Sequence, residues 1–187
     1  GITMYLIKKD DILQIAKALG TEYQVYGPVI EPGSGQTFFE KVDDVSEINL
    51  AAPIPAAPPK HIVFPQADRI LSYRYAGGSA PVEMKPDFKE TPKALFGLRS
   101  CDLTGLQCLD RFFLGQEFID EVYRSLRKKM FIVTNTCVVP FKYCFCVCTD
   151  SGPAAEEGYD LNLTDIGDNY LIETGSAKRT SGPISSR

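Results

Sequence analysis

The sequence is poor in the groups from which most catalytic sites are built. It has one histidine, His61 in P-K-H-I-V-F-P, with no acidic residue beside it. A serine nucleophile therefore lacks a base, and a lone histidine of this kind reads as structural rather than as a general base. No G-x-G-x-x-G follows a strand-like run, no P-loop occurs, and Gly33 to Gly35 is too short to be either. No apolar run approaches the roughly 20 residues that span a bilayer. No charged segment leading into an apolar one opens the chain, so we expect no export signal and a cytoplasmic location. Lys and Arg number 20 against 24 Asp and Glu, a net charge of -4. That balance leaves neither the basic footprint of a nucleic-acid binder nor a basic amphipathic stretch for a membrane surface.

What is present fits one globular domain. The chain has 187 residues, 44% of them hydrophobic, enough for a real core. Residues 1–3 read as an expression remnant before Met4. A single α/β domain is expected over 4–175, and the polar stretch 176–187 reads as a flexible tail.

Met4 to Ile7 reads as a strand, and Asp10 or Asp11 opens a helix ending at Leu19 before Gly20. Tyr23 to Ile30 reads as a strand broken near Gly27-Pro28. The P-G-S-G turn joins it to a hairpin mate at Gln36 to Val42. Ala51 to Pro59, A-A-P-I-P-A-A-P-P, is a proline-rich surface connector. Pro65 to Tyr73 has the pattern of a short helix and Pro81 to Lys85 that of a strand. Lys93 to Leu98 is an apolar run fit for a buried strand. A helix follows from Asp102 to Phe113, with Leu103, Leu106, Leu109 and Phe113 on one face. A second helix spans Glu117 to Lys129, acidic first and basic last, as the helix dipole favours. Met130 to Thr134 is another β-branched strand. Tyr159 to Thr164 and Tyr170 to Glu173 flank a D-I-G-D-N turn and read as a hairpin. The expected fold is thus α/β: a mixed sheet with a parallel strand–helix–helix–strand unit, plus hairpins.

Four of the six cysteines crowd into C-V-V-P-F-K-Y-C-F-C-V-C, at Cys137, Cys144, Cys146 and Cys148. Six could mean three disulfides, but that suits small secreted domains without a core, so reduced thiols or metal ligation are expected instead. The parallel unit puts Cys101 just past its first strand and Cys137 just past its second. Both carboxyl ends open on one edge of the sheet, where α/β folds place their sites. Cys144 and Cys146 follow in the loop leaving Cys137. Four soft thiolates on one rim suit an iron–sulfur cluster, [4Fe–4S] ahead of [2Fe–2S]. Arg99, Lys142 and the backbone N–H groups of the helix opening at Asp102 would favour its negative charge. Cys148 reads in three ways: a fifth rim cysteine, a substitute ligand, or an unused thiol. Zinc is the alternative, although the paired C-x-x-C knuckles of structural zinc sites are missing. A thiol redox sensor using Cys144, Cys146 and Cys148 is a third reading. Cys108, inside a helix beside Leu109, reads as a core thiol.

The segment F-G-L-R-S-C-D-L-T-G-L-Q-C-L-D-R-F-F-L resembles F-G-x-R-x-C-D-L-x-x-L-x-x-L-D-x-x-F of a family of iron–sulfur electron-transfer subunits. That family includes the beta subunit of soluble sulfhydrogenases and the A subunit of anaerobic sulfite reductase. N-T-C at Asn135 to Cys137, C-F-C at Cys144 to Cys146, Gly152-Pro153 and the stretch from Gly158 resemble it in the same order. The likeness is close over the second half of the chain and looser over the first. It implies an N-terminal α/β domain with Cys101, Cys137, Cys144 and Cys146 as cluster ligands. It also implies a non-catalytic subunit relaying electrons between a flavoprotein or nicotinamide-oxidising partner and a terminal hydrogenase or reductase subunit, in anaerobic metabolism. Members of the family also carry two C-x-x-C-x-x-C-x-x-x-C-P runs. Neither occurs in these 187 residues, and Cys148 stands where the family has a small non-cysteine residue.

Overall fold

A computed structural model describes residues 3–64, 69, 71–78, 81–86 and 91–175. Seven strands form one sheet: β1 (Met4–Lys8), β2 (Gln24–Ile30), β3 (Thr37–Lys41), β6 (Lys93–Leu98), β7 (Met130–Asn135), β8 (Leu161–Asp165) and β9 (Asn169–Thr174), in the order β1-β9-β8-β7-β6-β2-β3. Strands β2, β6, β7 and β8 run parallel in its middle, while β3, β9 and β1 complete it with antiparallel pairings. A separate two-stranded ribbon pairs β4 (Leu71–Arg74) with β5 (Glu83–Pro86). The helices are α1 (Leu13–Leu19), α2 (Lys60–Val63), α3 (Ser100–Leu114) and α4 (Glu121–Lys128). The mixed α/β class expected from the sequence is the class observed.

The central pair β6 and β7 has the continuous apolar runs of a sheet covered on both faces. Ala94, Phe96, Val133 and Leu163 pack with Ile12 just before α1 and Ala16 within it, together with Ile48 and Leu50. On the opposite face Leu95, Leu98 and Ile132 pack with Ile62 and Val63 of α2, Leu103 and Leu106 of α3 and Tyr123 of α4. Strict alternation would send Leu98 to the α1 side with Phe96. It does not go there, because the register shifts between Phe96 and Leu98. Gly97 is the inserted residue of a β-bulge, at φ +86, a left-handed conformation that glycine adopts without a steric cost.

Several local expectations are revised. Strand β2 is unbroken through Gly27-Pro28. Its parallel ladder with β6 covers only Gln24 to Tyr26, so Pro28 lies past the rungs that need its missing N–H and pairs with Phe39 of β3. Helix α3 starts at Ser100 and not at Asp102, which brings Cys101 into its first turn. Helix α4 starts at Glu121 rather than Glu117, where the Asp120 side chain accepts from the Tyr123 N–H at 2.8 Å. Of the helix expected over 65–73, residues 65–68 and 70 lie outside the described residues, and 71–73 belong to strand β4. The polar stretch 176–187 also lies outside them. The proline-rich connector is largely exposed as expected, but Ala52 and Pro59 are buried. Cys108 is exposed, with Arg111 Nη2 3.0 Å from its sulfur, so it is not a core thiol. No helix among the described residues is long and apolar enough to cross a membrane.

Candidate cysteine site

The bulge at Gly97 sets the course of the chain into the site. Beyond it come Leu98, facing the helices, then Arg99 in extended conformation before α3, then Ser100 and Cys101 in the first helical turn. Strand β7 ends at Asn135, and Cys137 follows two residues later, half-buried. The chain then runs out through an exposed loop to a short 3-10 turn over Cys146–Thr149. Asp150 in left-handed conformation (φ 48) reverses it, and it returns through Ser151, Gly152 and Pro153 by a cis peptide.

That return segment ties the cysteine-bearing pieces together. The Pro153 carbonyl accepts from the Cys137 N–H at 3.1 Å and from the Ser100 hydroxyl at 3.2 Å. The Cys146 carbonyl accepts from the Ser151 N–H at 2.9 Å and from the Thr149 hydroxyl at 3.2 Å. Gly152 lies where a Cβ would meet Ser100 Oγ at 2.6 Å and Cys146 Sγ at 3.1 Å. A side chain there would have to displace Ser100 or Cys146, which flank the glycine on either side.

The thiols sense one another. Burial pushes the Cys101 thiol up to about 11, with the charges of Asp102, Cys137 and Cys146 adding to the shift and the Asp102 N–H opposing it. Burial also raises Cys137. There the Arg99 guanidinium, donating to its sulfur at 3.5 Å, pulls the other way, and Cys144 and Cys146 add to the rise. Asp102 is pushed up to about 6 by burial, held back by Arg99 and Lys60. Cys137 and Cys146 thus lie near enough to act on Cys101, and Cys144 and Cys146 near enough to act on Cys137. Among the described residues no three Cys, His, Asp or Glu side chains stand in an arrangement that would hold a metal ion as they are. The donor chemistry nevertheless fits an iron–sulfur cluster: soft thiols from three chain segments, a guanidinium against one sulfur, and a glycine kept bare against another.

Around these thiols the loop shows apolar side chains to solvent. Val138, Val139, Tyr143, Phe145 and Val147 are all more than half exposed, Tyr143 at 82%. Lys142 lies 5.4 Å from the centre of the Tyr143 ring. His61 is exposed, with Nδ1 3.3 Å from the Pro58 carbonyl.

Sequence reasoning missed Ser100, Gly97, Gly152 and the carbonyls of Leu50 and Ala52 that accept from Arg99. An isolated glycine inside an apolar strand run is the signal that marks Gly97. The others become visible only through contacts distant in sequence.

No family model matches the chain, and no solved structure gives a significant match. Among curated proteins, sulfhydrogenase 2 subunit beta of Pyrococcus furiosus is 32% identical over 155 residues. The match takes in 83% of this chain and 43% of that subunit. Over those 155 residues the chain is a homologue of the sulfhydrogenase beta subunit, and it spans less than half of that protein's length.

Proposed function

We propose that this chain is an iron–sulfur electron-transfer domain of a multi-subunit oxidoreductase. Cys101, Cys137, Cys144 and Cys146 are the ligands of one cluster, [4Fe–4S] in preference to [2Fe–2S]. The observation that carries this is geometric: at the carboxyl edge of the parallel strands the Pro153 carbonyl accepts from both the Cys137 N–H and the Ser100 hydroxyl, and Gly152 sits between Ser100 Oγ and Cys146 Sγ, so the cysteine loop is tied to the first turn of α3 that carries Cys101. The likeness to a hydrogenase subunit supports it independently. When bound, such a cluster takes up and gives up one electron at a time. The chain's own part is to hold four thiolates on one rim, to supply N–H donors and the Arg99 charge, and to keep one side of the site open. The exposed apolar loop from Val138 to Val147 is the surface a redox partner would cover. One electron would arrive from a flavoprotein or nicotinamide-oxidising subunit and leave to a hydrogenase or reductase subunit.

The test is anaerobic purification followed by iron, acid-labile sulfide and zinc analysis, with an electron paramagnetic resonance spectrum of the reduced sample. About four iron and four sulfide per chain is the expected result, and about two of each would indicate the smaller cluster. Cys101→Ala or Cys146→Ala should lose most of the iron, and Cys108→Ser should keep it. Full iron and sulfide in Cys101→Ala would refute the ligand set. Zinc without sulfide would make the domain a structural scaffold instead.

A further inference from the structure

Arg99 precedes α3 with φ -74 and ψ 152, yet its side chain makes no capping bond to the helix. It turns across the carboxyl edge of the sheet. Nη2 donates to the Ala52 carbonyl at 3.0 Å and to the Leu50 carbonyl at 3.4 Å, while Nη1 donates to Cys137 Sγ at 3.5 Å. The Leu50 carbonyl is held in turn by Asn135 Nδ2 at 2.9 Å, from the end of β7. Leu50 and Ala52 are both buried. A guanidinium is a rigid planar fork, so two fixed carbonyls on one arm determine where the other arm points. Its three hydrogen bonds among the described residues go to two carbonyls and one sulfur. Among the described residues the positive charge therefore reaches the rim without a bonded carboxylate, and Asp102 lies within its field.

We propose that Arg99 is a positioning residue of the cysteine site that acts through the Cys137 sulfur: it raises the reduction potential of the group the cysteines hold, with the Leu50–Ala52 carbonyls as its mount. The proposal rests on the iron–sulfur reading above. Reduction adds a negative charge to a thiolate-ligated centre. A fixed cation and an N–H donor on one ligand sulfur favour the reduced form over the oxidised one. The mount matters because an untethered arginine would swing into water, where its field is screened.

The experiment uses wild type, Arg99→Lys and Arg99→Gln, prepared without oxygen and assayed first for iron and sulfide. Each loaded protein is then titrated to its midpoint potential. Reduced wild type carrying nitrogen-15 arginine is examined for hyperfine coupling between that label and the paramagnetic centre. We expect the coupling in wild type and its loss in both variants. We expect the reduction equilibrium of Arg99→Gln to fall about tenfold or more, about 59 mV more negative for one electron. Arg99→Lys, which keeps the charge but not the fork, should fall less. An iron-loaded wild type without the coupling overturns the proposal and leaves the iron–sulfur reading standing. So does a loaded Arg99→Gln with unchanged potential. If Arg99→Gln fails to hold iron, the wild-type coupling and the Arg99→Lys potential decide the matter. Wild type lacking iron and sulfide overturns the iron–sulfur reading, and this proposal with it.

Discussion

A side chain at Gly97 would face two penalties. Its φ of +86 lies in the region that L-residues rarely adopt, and a Cβ would stand 2.5 Å from Leu50 Cδ2 and 3.3 Å from Pro28 Cδ. Backbone strain of this kind costs roughly 1–3 kcal/mol, and moving Leu50 disturbs the carbonyl that Arg99 and Asn135 share. Gly97→Ala should therefore lower unfolding stability by about 2 kcal/mol or more in urea titration and reduce iron loading with it. A stability within about 0.5 kcal/mol of wild type would show that the bulge accepts a side chain. Gly152 separates the two effects. It has no positive φ and lies on a half-buried return segment outside the two apolar clusters, but a methyl there meets Ser100 and Cys146. Gly152→Ala should change global stability by less than about 1 kcal/mol, as for substitutions away from the core, while clearly lowering iron content per chain. In the sequence Gly97 is marked by its place inside an apolar strand run, and Gly152 only by the family-like Gly-Pro pair. Nothing in the local stretch S-G-P tells that Gly152 packs against the start of a helix some fifty residues earlier.

At the scale of elements, α3 and α4 are joined by a buried ion pair that periodicity misassigns. The apolar pattern of α3 puts Leu109 on the inner face, yet Asp110 is 8% exposed and Leu109 only partly buried. Asp110 takes the inward position seven residues after Leu103, where it accepts from the Tyr123 hydroxyl at 2.7 Å. It also accepts from Arg127 Nε at 2.9 Å and Nη2 at 3.0 Å. Burial, then the Asp110 charge, raise the Tyr123 hydroxyl far above its ordinary range, so it donates as a neutral phenol. Removing one member of such a pair leaves the other charged and dry, at a cost of roughly 3–5 kcal/mol. Asp110→Leu and Arg127→Met should each approach that loss, and the double variant should lose much less than their sum in a thermodynamic cycle. Another pairing fastens edge strand β1. Lys9 bonds Asp165, whose other carboxylate oxygen accepts from the Gly167 N–H at 3.0 Å, and both bonds hold the Asp165 pKa down. A depressed carboxylate contributes stability above the ordinary range near pH ~4 and loses it as pH falls further. Asp165→Asn should therefore be less stable than wild type at pH 7, and the gap should close toward pH ~3 in acid-unfolding curves. A gap that stayed constant with pH would mean that the charge contributes nothing.

On the scale of the whole molecule, the parallel β6–β7 pair was legible because both strands are buried on both faces and so are written as plain apolar runs, whereas the parallel placement of β2 and β8 beside them was not. The rim that carries Cys101 and Cys137 follows from the β6–β7 pair alone. What could not be read is set by contacts between distant segments: the seat of Leu50 and Ala52 under Arg99, the short helix α2, and the strand at 71–74 with all four residues exposed. This division has a consequence for stability. The two apolar clusters that sandwich the sheet include none of the cysteines, so whatever the thiols bind lies outside the packing of the sheet. Residues 138–149, by contrast, are nearly all exposed, and the few backbone bonds near Cys137 and Cys146 hold them. A bound group linking Cys101, Cys137, Cys144 and Cys146 would add its binding energy locally. In hydrogen exchange, removing iron from the loaded protein should leave β6, β7 and β8 as protected as before. Exchange should accelerate across 137–153 and in the first turn of α3. If protection fell through the sheet as well, the cysteine site would be part of the core, and the separation between the sandwiched sheet and its cysteine rim would be wrong.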